Sequence, residues 1–100
     1  MNQETKSQKA QMNLDVEGIE GIKLVKNSSV FAKDGFVYAV HYGTVIFQHN
    51  MKTKETLIKK DCSQTSNRLI GRCLSFYGVS WNDAINTNDE ERWSYSGGYQ

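Results

Sequence analysis

Four side chains of this sequence are of the types that bind metal ions or act as nucleophiles: His41, His49, Cys62 and Cys73. Zinc sites place their ligands at short, recurring spacings such as CxxC or HxxxH, and neither spacing occurs here. The strand register predicted below also places His41 and His49 on opposite faces of their hairpin. We therefore expect the protein to hold no metal and no other cofactor.

The same side chains do not make up a known catalytic set. The sequence contains no GxSxG nucleophile elbow and no GxxxxGK[ST] or GxGxxG phosphate loop. Lys59 and Lys60 precede Cys62 closely, which favours a lowered thiol pKa, whereas Cys73 falls on the buried side of a predicted helix. A small hydrolase or redox enzyme using Cys62 is the enzymatic alternative. We predict instead that both thiols are reduced and incidental, and that the protein is not an enzyme.

Basic residues close to aromatic ones make binding the more promising class of function. An array of this kind suits a single-stranded nucleic acid, whose bases stack on the rings. The competing explanation is an edge strand whose lysines prevent strand-to-strand aggregation. The formal net charge of +1 argues against a general nucleic-acid coat protein. The residues that could form this edge are Lys52, Lys54, Lys59, Lys60, Arg68 and Arg72, beside Tyr38, His41 and His49.

Aromatic residues also accumulate after the predicted helix, where Trp81, Trp93, Tyr95 and Tyr99 follow one another. Together with Arg92, these are residue types that anchor protein interfaces. Trp81 and Trp93 could equally complete a small hydrophobic core. The contact candidates from both regions are His49, Lys52, Lys54, Arg68, Arg72, Trp81, Arg92 and Trp93.

Two glycine turns organise the middle of the chain into strands. Asp34-Gly35 is a preferred pair for a type I′ hairpin turn, and Gly43-Thr44 suits a type II′ turn. They predict strands over residues 29–33, 36–42 and 44–49, with a more polar strand over 53–59. Directly opposed residues share a face of a sheet. The two turns therefore predict one apolar face made of Phe31, Phe36, Tyr38, Val40, Tyr42, Val45 and Phe47.

A helix is predicted over residues 63–78, where Leu69, Cys73 and Tyr77 recur at helical spacing and Gly78 suits the C-terminal cap. We expect it to cover the aromatic face of the sheet. A short second helix over 80–85 is also predicted, capped by Ser80. The fold class is α+β, a twisted antiparallel sheet of three to five strands packed against one main helix.

One domain is expected from a chain of 100 residues. The predicted organisation is a disordered tail over residues 1–13, the α+β domain over 14–85, and a partly ordered tail over 86–100. No apolar run approaches the roughly 20 residues that cross a bilayer, and the polar first residues lack a signal-peptide core. These features predict a cytoplasmic protein that does not enter a membrane.

The stretches YAVHYGTVIFQHN and SQTSNRLIGRCLSFYG resemble small phage and mobile-element proteins of unknown function. Those proteins pair strands around a Tyr-Gly-Thr turn and begin a helix with a Ser-x-Thr-Ser cap. The matching segments here begin at Tyr42 and at Ser63, and the resemblance covers residues 35–78. After the cap such proteins often carry an aromatic or basic residue, where this chain has Asn67 and Arg68. The resemblance implies a bacterial or phage origin, hence a bacterial host cytoplasm, and no catalytic residues.

The resulting hypothesis is a non-enzymatic accessory protein that binds and inhibits a host macromolecule, such as a CRISPR effector or another bacterial defence component. It depends on the missing catalytic motifs, the short chain and the surplus aromatic residues. The alternative is a small DNA- or RNA-binding regulator that uses the lysine- and arginine-rich edge. A salt titration separates the two, because counterion release makes nucleic-acid binding strongly salt-dependent. An exposed edge strand in so small a sheet also allows a homodimer.

Overall fold

The computed structural model describes residues 14–95 of the chain. A five-stranded sheet in the order β1-β2-β3-β4-β5 packs against one main helix, which confirms the predicted α+β class. The predicted tail over residues 1–13 lies outside the described residues, as do residues 96–100. The elements are β1 (Ser28–Lys33), β2 (Phe36–His41), β3 (Thr44–Asn50), β4 (Thr56–Lys59), α1 (Gln64–Tyr77) and β5 (Ile85–Thr87).

The first four strands form the antiparallel meander expected from the turns, whereas β5 adds parallel to β4. The sheet is therefore mixed. The predicted short second helix is present with Ser80 as its cap, but it is a 3-10 helix that spans only Trp81–Asp83 instead of residues 80–85. The chain then enters β5 directly, so the predicted domain boundary after residue 85 falls inside a strand.

The two hairpin turns had different outcomes. Asp34 and Gly35 form the predicted type I′ turn, with φ angles of 53° and 86° and Lys33 opposite Phe36. The second turn lies one residue earlier than predicted, at Tyr42 and Gly43, whose φ angles are 53° and 76°. It too has the positive φ angles of a type I′ turn, and it places His41 opposite Thr44.

A β-bulge in β3 corrects the predicted faces of the sheet. Val45 pairs with Val40 and Phe47 pairs with Ala39, so Ile46 is an extra residue without a partner. Ile46 and Phe47 consequently belong to the same buried cluster, on the opposite side from Tyr38 and Val40.

The predicted single aromatic face was therefore wrong at Phe47, and also at Tyr42, which stands exposed in the turn. The same shift puts His49 opposite Val37 and on the face of His41, so the two histidines share a face after all. No pattern in the sequence marks the bulge.

Each face of the sheet has its own cover. Helix α1 packs on the face that carries Phe47, and its side chains Leu69, Cys73 and Leu74 are buried in one core with that ring. The prediction that the helix covers the aromatic face was therefore wrong. The aromatic face carries Phe31, Phe36, Tyr38, Val40 and Val45, as predicted, and is covered by Trp93 and Tyr95. The Tyr95 ring lies 5.1 Å from that of Tyr38, and the backbone N–H of Ser94 donates to Gln48 Oε1 at 2.8 Å.

The helix begins and ends where its caps predict. Ser63 is the N-cap, since its Oγ accepts a hydrogen bond of 3.1 Å from the backbone N–H of Ser66. Gly78 has a φ of 69° and ends the helix, with Val79 N donating to Leu74 O. The caps fix where α1 begins and ends, and the buried side chains of Leu69, Cys73 and Leu74 determine which of its residues face solvent.

Candidate protein-binding face

The eight predicted contact residues do not lie on one surface. His49 is only 2% exposed, so a partner cannot touch it without unfolding the sheet. Its ring stacks on Tyr77 at 4.1 Å, and its Nδ1 atom lies 2.8 Å from Thr56 Oγ1. His49 is therefore a core residue, because the bulge in β3 turns it inward beneath the helix.

The lysine-rich edge is dispersed as well. Lys52 and Lys54 lie in the turn between β3 and β4, and Lys54 forms an ion pair with Asp15. Lys59 and Lys60 lie at the far end of β4. The rings that were expected beside them, those of Tyr38, His41 and His49, are all buried. These three rings are therefore not available to a base, and the exposed ring near this edge is that of Tyr42, which lines a groove together with Lys59.

Arg92 and Trp93 belong to the segment that covers the aromatic face. Arg92 is exposed in the 3-10 turn Glu90–Arg92, while Trp93 is half-buried against the cluster around Tyr38. Trp93 thus follows the alternative interpretation, in which it completes a core. Neither residue lies on the face of the sheet that the helix covers.

Three candidates do come together, on the outer side of α1. Arg68 and Arg72 are one helical turn apart, as the sequence predicts. Trp81 lies over Gly71 of the same turn: a Cβ atom at Gly71 would approach Trp81 Cζ2 to 3.3 Å. The lack of a side chain at Gly71 thus leaves room for the indole ring. Trp81 nevertheless stays 47% exposed.

Phe76 extends this surface by a further turn, because it follows Arg72 by four residues. Its ring is 39% exposed, and it was missed in the sequence. The signal for it was available: Phe76 precedes the last residue of the buried stripe, Tyr77, and therefore points away from the sheet. We call the four side chains together, Arg68, Arg72, Phe76 and Trp81, the Arg–Trp face.

A shallow groove of about 360 Å³ adjoins the Arg–Trp face. The guanidinium of Arg72 is held at its rim, since Nη1 donates a hydrogen bond of 2.9 Å to Lys23 O. An arginine has five N–H donors, so most remain available for a carboxylate. No acidic side chain is among the described residues that line the groove, which are Gly21, Ile22, Lys23, Arg72, Ser75 and Phe76.

The two cysteines are both free thiols. Burial raises the pKa of Cys73 to about 12. Burial also raises the pKa of Cys62 and outweighs the opposing charge of Lys59, so the expected lowering of this pKa was wrong. Neither thiol therefore has the thiolate character of an activated nucleophile.

Within residues 14–95, no three His, Cys, Asp or Glu side chains lie close enough together to hold a metal ion. None of the helices in this part of the chain has the length and apolar character needed to cross a bilayer. Comparison of the chain with protein-family models, with curated proteins and with solved structures finds no match.

Proposed function

We propose that this protein is a non-enzymatic binding protein that attaches to an acidic protein surface through the Arg–Trp face. The observation that carries the proposal is the composition of this face. Two arginines of α1 lie between the partly exposed Phe76 of the same helix and the partly exposed Trp81 of the 3-10 turn that follows it. Trp and Arg are the residue types most often responsible for binding energy at protein interfaces.

The rings of Phe76 and Trp81 both pack against other residues of the protein, so less conformational entropy is lost when a partner binds them. Trp81 rests on Gly71, and the Phe76 ring packs edge-on against Tyr77 at 4.8 Å. Arg72 is held by Lys23 O. A surface that is ordered before binding loses less conformational entropy in the complex. The cations Lys23, Arg68 and Arg72 favour a partner that presents carboxylates around an apolar contact.

The identity of the partner rests on the resemblance to small phage and mobile-element proteins. It supports a host or defence-system protein as the partner, with a CRISPR effector as the specific proposal and inhibition by occlusion as the mechanism. Inhibition by occlusion requires a binding surface and no catalytic residues, which agrees with the lack of catalytic motifs in the sequence.

An interference assay in a bacterium with an active CRISPR system tests this proposal. The chain is expressed from a plasmid, and the plating efficiency of a targeted phage is measured. We expect the wild-type chain to restore plating, and Trp81→Ala or Arg68→Glu to abolish the effect. Recovery of plating by both variants as well as by the wild type would contradict the role of the Arg–Trp face.

The matched control is Lys52→Glu/Lys60→Glu, compared with Arg68→Glu/Arg72→Glu, because both double variants change the charge equally. The control sites are exposed, Lys52 in the turn between β3 and β4 and Lys60 directly after β4, and neither belongs to the face. Loss of function in the lysine variant alone would favour the nucleic-acid alternative. Because Arg72 also donates a hydrogen bond to Lys23 O, circular dichroism and thermal unfolding must first show that each variant is folded.

A further inference from the structure

A second recess lies at the N-terminal end of α1, away from the Arg–Trp face. It is a groove of about 280 Å³ between the Tyr42-Gly43 turn, the end of β4 and the cap of the helix. Its lining is rich in polar side chains, although it was not recognised in the sequence. The residues that line it are His41, Tyr42, Thr44, Ile46, Lys59, Asp61, Cys62, Ser63 and Ser66.

His41 is the central side chain of this groove. It is only 7% exposed, and its Nδ1 atom lies 2.6 Å from the hydroxyl of Ser66. The Ser63 hydroxyl donates to Ser66 Oγ at 3.3 Å, and the Ser66 hydroxyl can in turn donate to Nδ1. His41 then carries its proton on Nε2.

The Nε2–H group of His41 is the unpaired donor of the groove. Among residues 14–95 it has no hydrogen-bond partner, yet, unlike Nε2 of His49, it is not sealed from solvent. Because this atom opens to the groove, it can donate a hydrogen bond to a ligand bound there.

Helix α1 contributes further donors at the same end. Ser63 Oγ and Ser63 O accept the N–H groups of Ser66 and Asn67, which leaves those of Gln64 and Thr65 without a partner among the described residues. Such N–H groups point out of the helix and, with the helix dipole, favour an anion. Lys59 lines the groove and adds a positive charge. The donors therefore match the oxygens of a phosphate group.

Tyr42 supplies the remaining part of the site. Its ring is 69% exposed and lies 4.7 Å from the His41 ring. Its φ of 53° is one that a bulky side chain rarely adopts, and Asn or Asp is the usual residue at this turn position. An exposed ring held in an unfavourable conformation beside a groove is a reason to assign it a contact.

We propose that this groove binds a phosphate monoester that carries an aromatic group, the chemistry of a nucleoside monophosphate. The phosphate accepts hydrogen bonds from His41 Nε2 and the first turn of α1, and the base stacks on Tyr42. Asp61 also lines the groove and opposes the anion, so it weakens binding. This site is separate from the Arg–Trp face and does not depend on it.

Titrations of the full-length, ¹⁵N-labelled chain followed by NMR test the proposal, with adenosine 5′-monophosphate, inorganic phosphate and adenosine at constant ionic strength. We expect both phosphates to shift the amide signals of Gln64, Thr65 and Ser66. The nucleotide should bind about tenfold more tightly than phosphate, since stacking of a base on a ring is worth about that factor. Shifts no larger than those produced by chloride, or confined to lysines outside the groove, would overturn the proposal.

Three surface substitutions make the test specific without disturbing the core. Tyr42→Asn suits the turn and should reduce the nucleotide affinity to that of phosphate. Asp61→Asn keeps a residue that tolerates the φ of 58° and should raise both affinities about threefold, by removal of one nearby charge. Lys59→Met should lower both. Unchanged nucleotide binding in all three variants would place the ligand elsewhere and refute the assignment.

Discussion

Acidification should destabilise the folded protein through His49, even at pH values where surface groups change little. The Thr56 hydroxyl donates to Lys54 O, so His49 Nδ1 must donate to Thr56 Oγ1. Nε2 is then a buried acceptor with no partner among the described residues. Adding a proton to Nε2 puts a positive charge in the core beneath α1, and no described residue accepts a hydrogen bond from this atom.

Burial is the main cause that lowers the pKa of His49 from 6.5 to about 4, and the charge of Lys54 adds to it while Asp15 opposes it. The unfolded chain therefore takes up a proton on His49 at a higher pH than the folded protein does. Stability is complete above the unfolded pKa and falls as the pH drops from 6.5 toward 4. The loss is about 2 kcal/mol at pH 5 and approaches about 3 kcal/mol below pH 4.

Urea unfolding at pH 7.5 and pH 5.0, for the wild type and for His49→Gln, measures this loss. The wild type should lose about 2 kcal/mol more than the variant, because glutamine does not titrate. If the variant does not fold, an NMR titration of the wild-type imidazole gives the same quantity. Equal pH dependence in the two proteins, or a His49 pKa near 6.5, would refute the reasoning.

Further predictions concern the turn, the helix cap and the core, each checked by urea unfolding at pH 7.5. Tyr42→Asn should raise the free energy of unfolding by about 1 kcal/mol, because asparagine tolerates the positive φ of this turn position; a decrease would contradict the type I′ assignment. Ser63→Ala should lower it by about 1 kcal/mol, since the N–H of Ser66 loses its acceptor, with exposed Ser80→Ala as a comparison for a shorter helix. Phe47→Ala should lower it by about 3–5 kcal/mol, as expected for a ring fully buried under α1; a loss below about 1 kcal/mol would contradict the bulged register.

The sequence predicts the local features of this fold well, because each has a local physical cause. The Asp34-Gly35 turn, the Ser63 cap and the Gly78 cap all depend on residues within one turn of themselves. The parallel strand β5 has only three residues and is stabilised by its neighbour β4, so its own composition does not reveal it. Propensity gives little information on a strand that short.

The candidate site was predicted in part, because helical spacing is also a local feature of the sequence. The spacing of Arg68 and Arg72 put both on the outer flank of the helix, where the structure has them. The single residue Ile46, inserted by the bulge, reversed the faces of Phe47 and His49 and moved His49 from the expected surface into the core. His41 lies under the helix cap because α1 packs on the face opposite the predicted one, which is why the groove at Ser66 could not be foreseen.

Cross-saturation NMR on the assembled complex tests the central claim, the Arg–Trp face, most directly. The chain is deuterated and ¹⁵N-labelled, and an unlabelled partner recovered with it is irradiated. Signal loss should concentrate on the amides around Arg68, Arg72 and Phe76 and on the indole N–H of Trp81. Signal loss around Lys52 and Lys60, or around Arg92, with the helix signals unaffected, would contradict it.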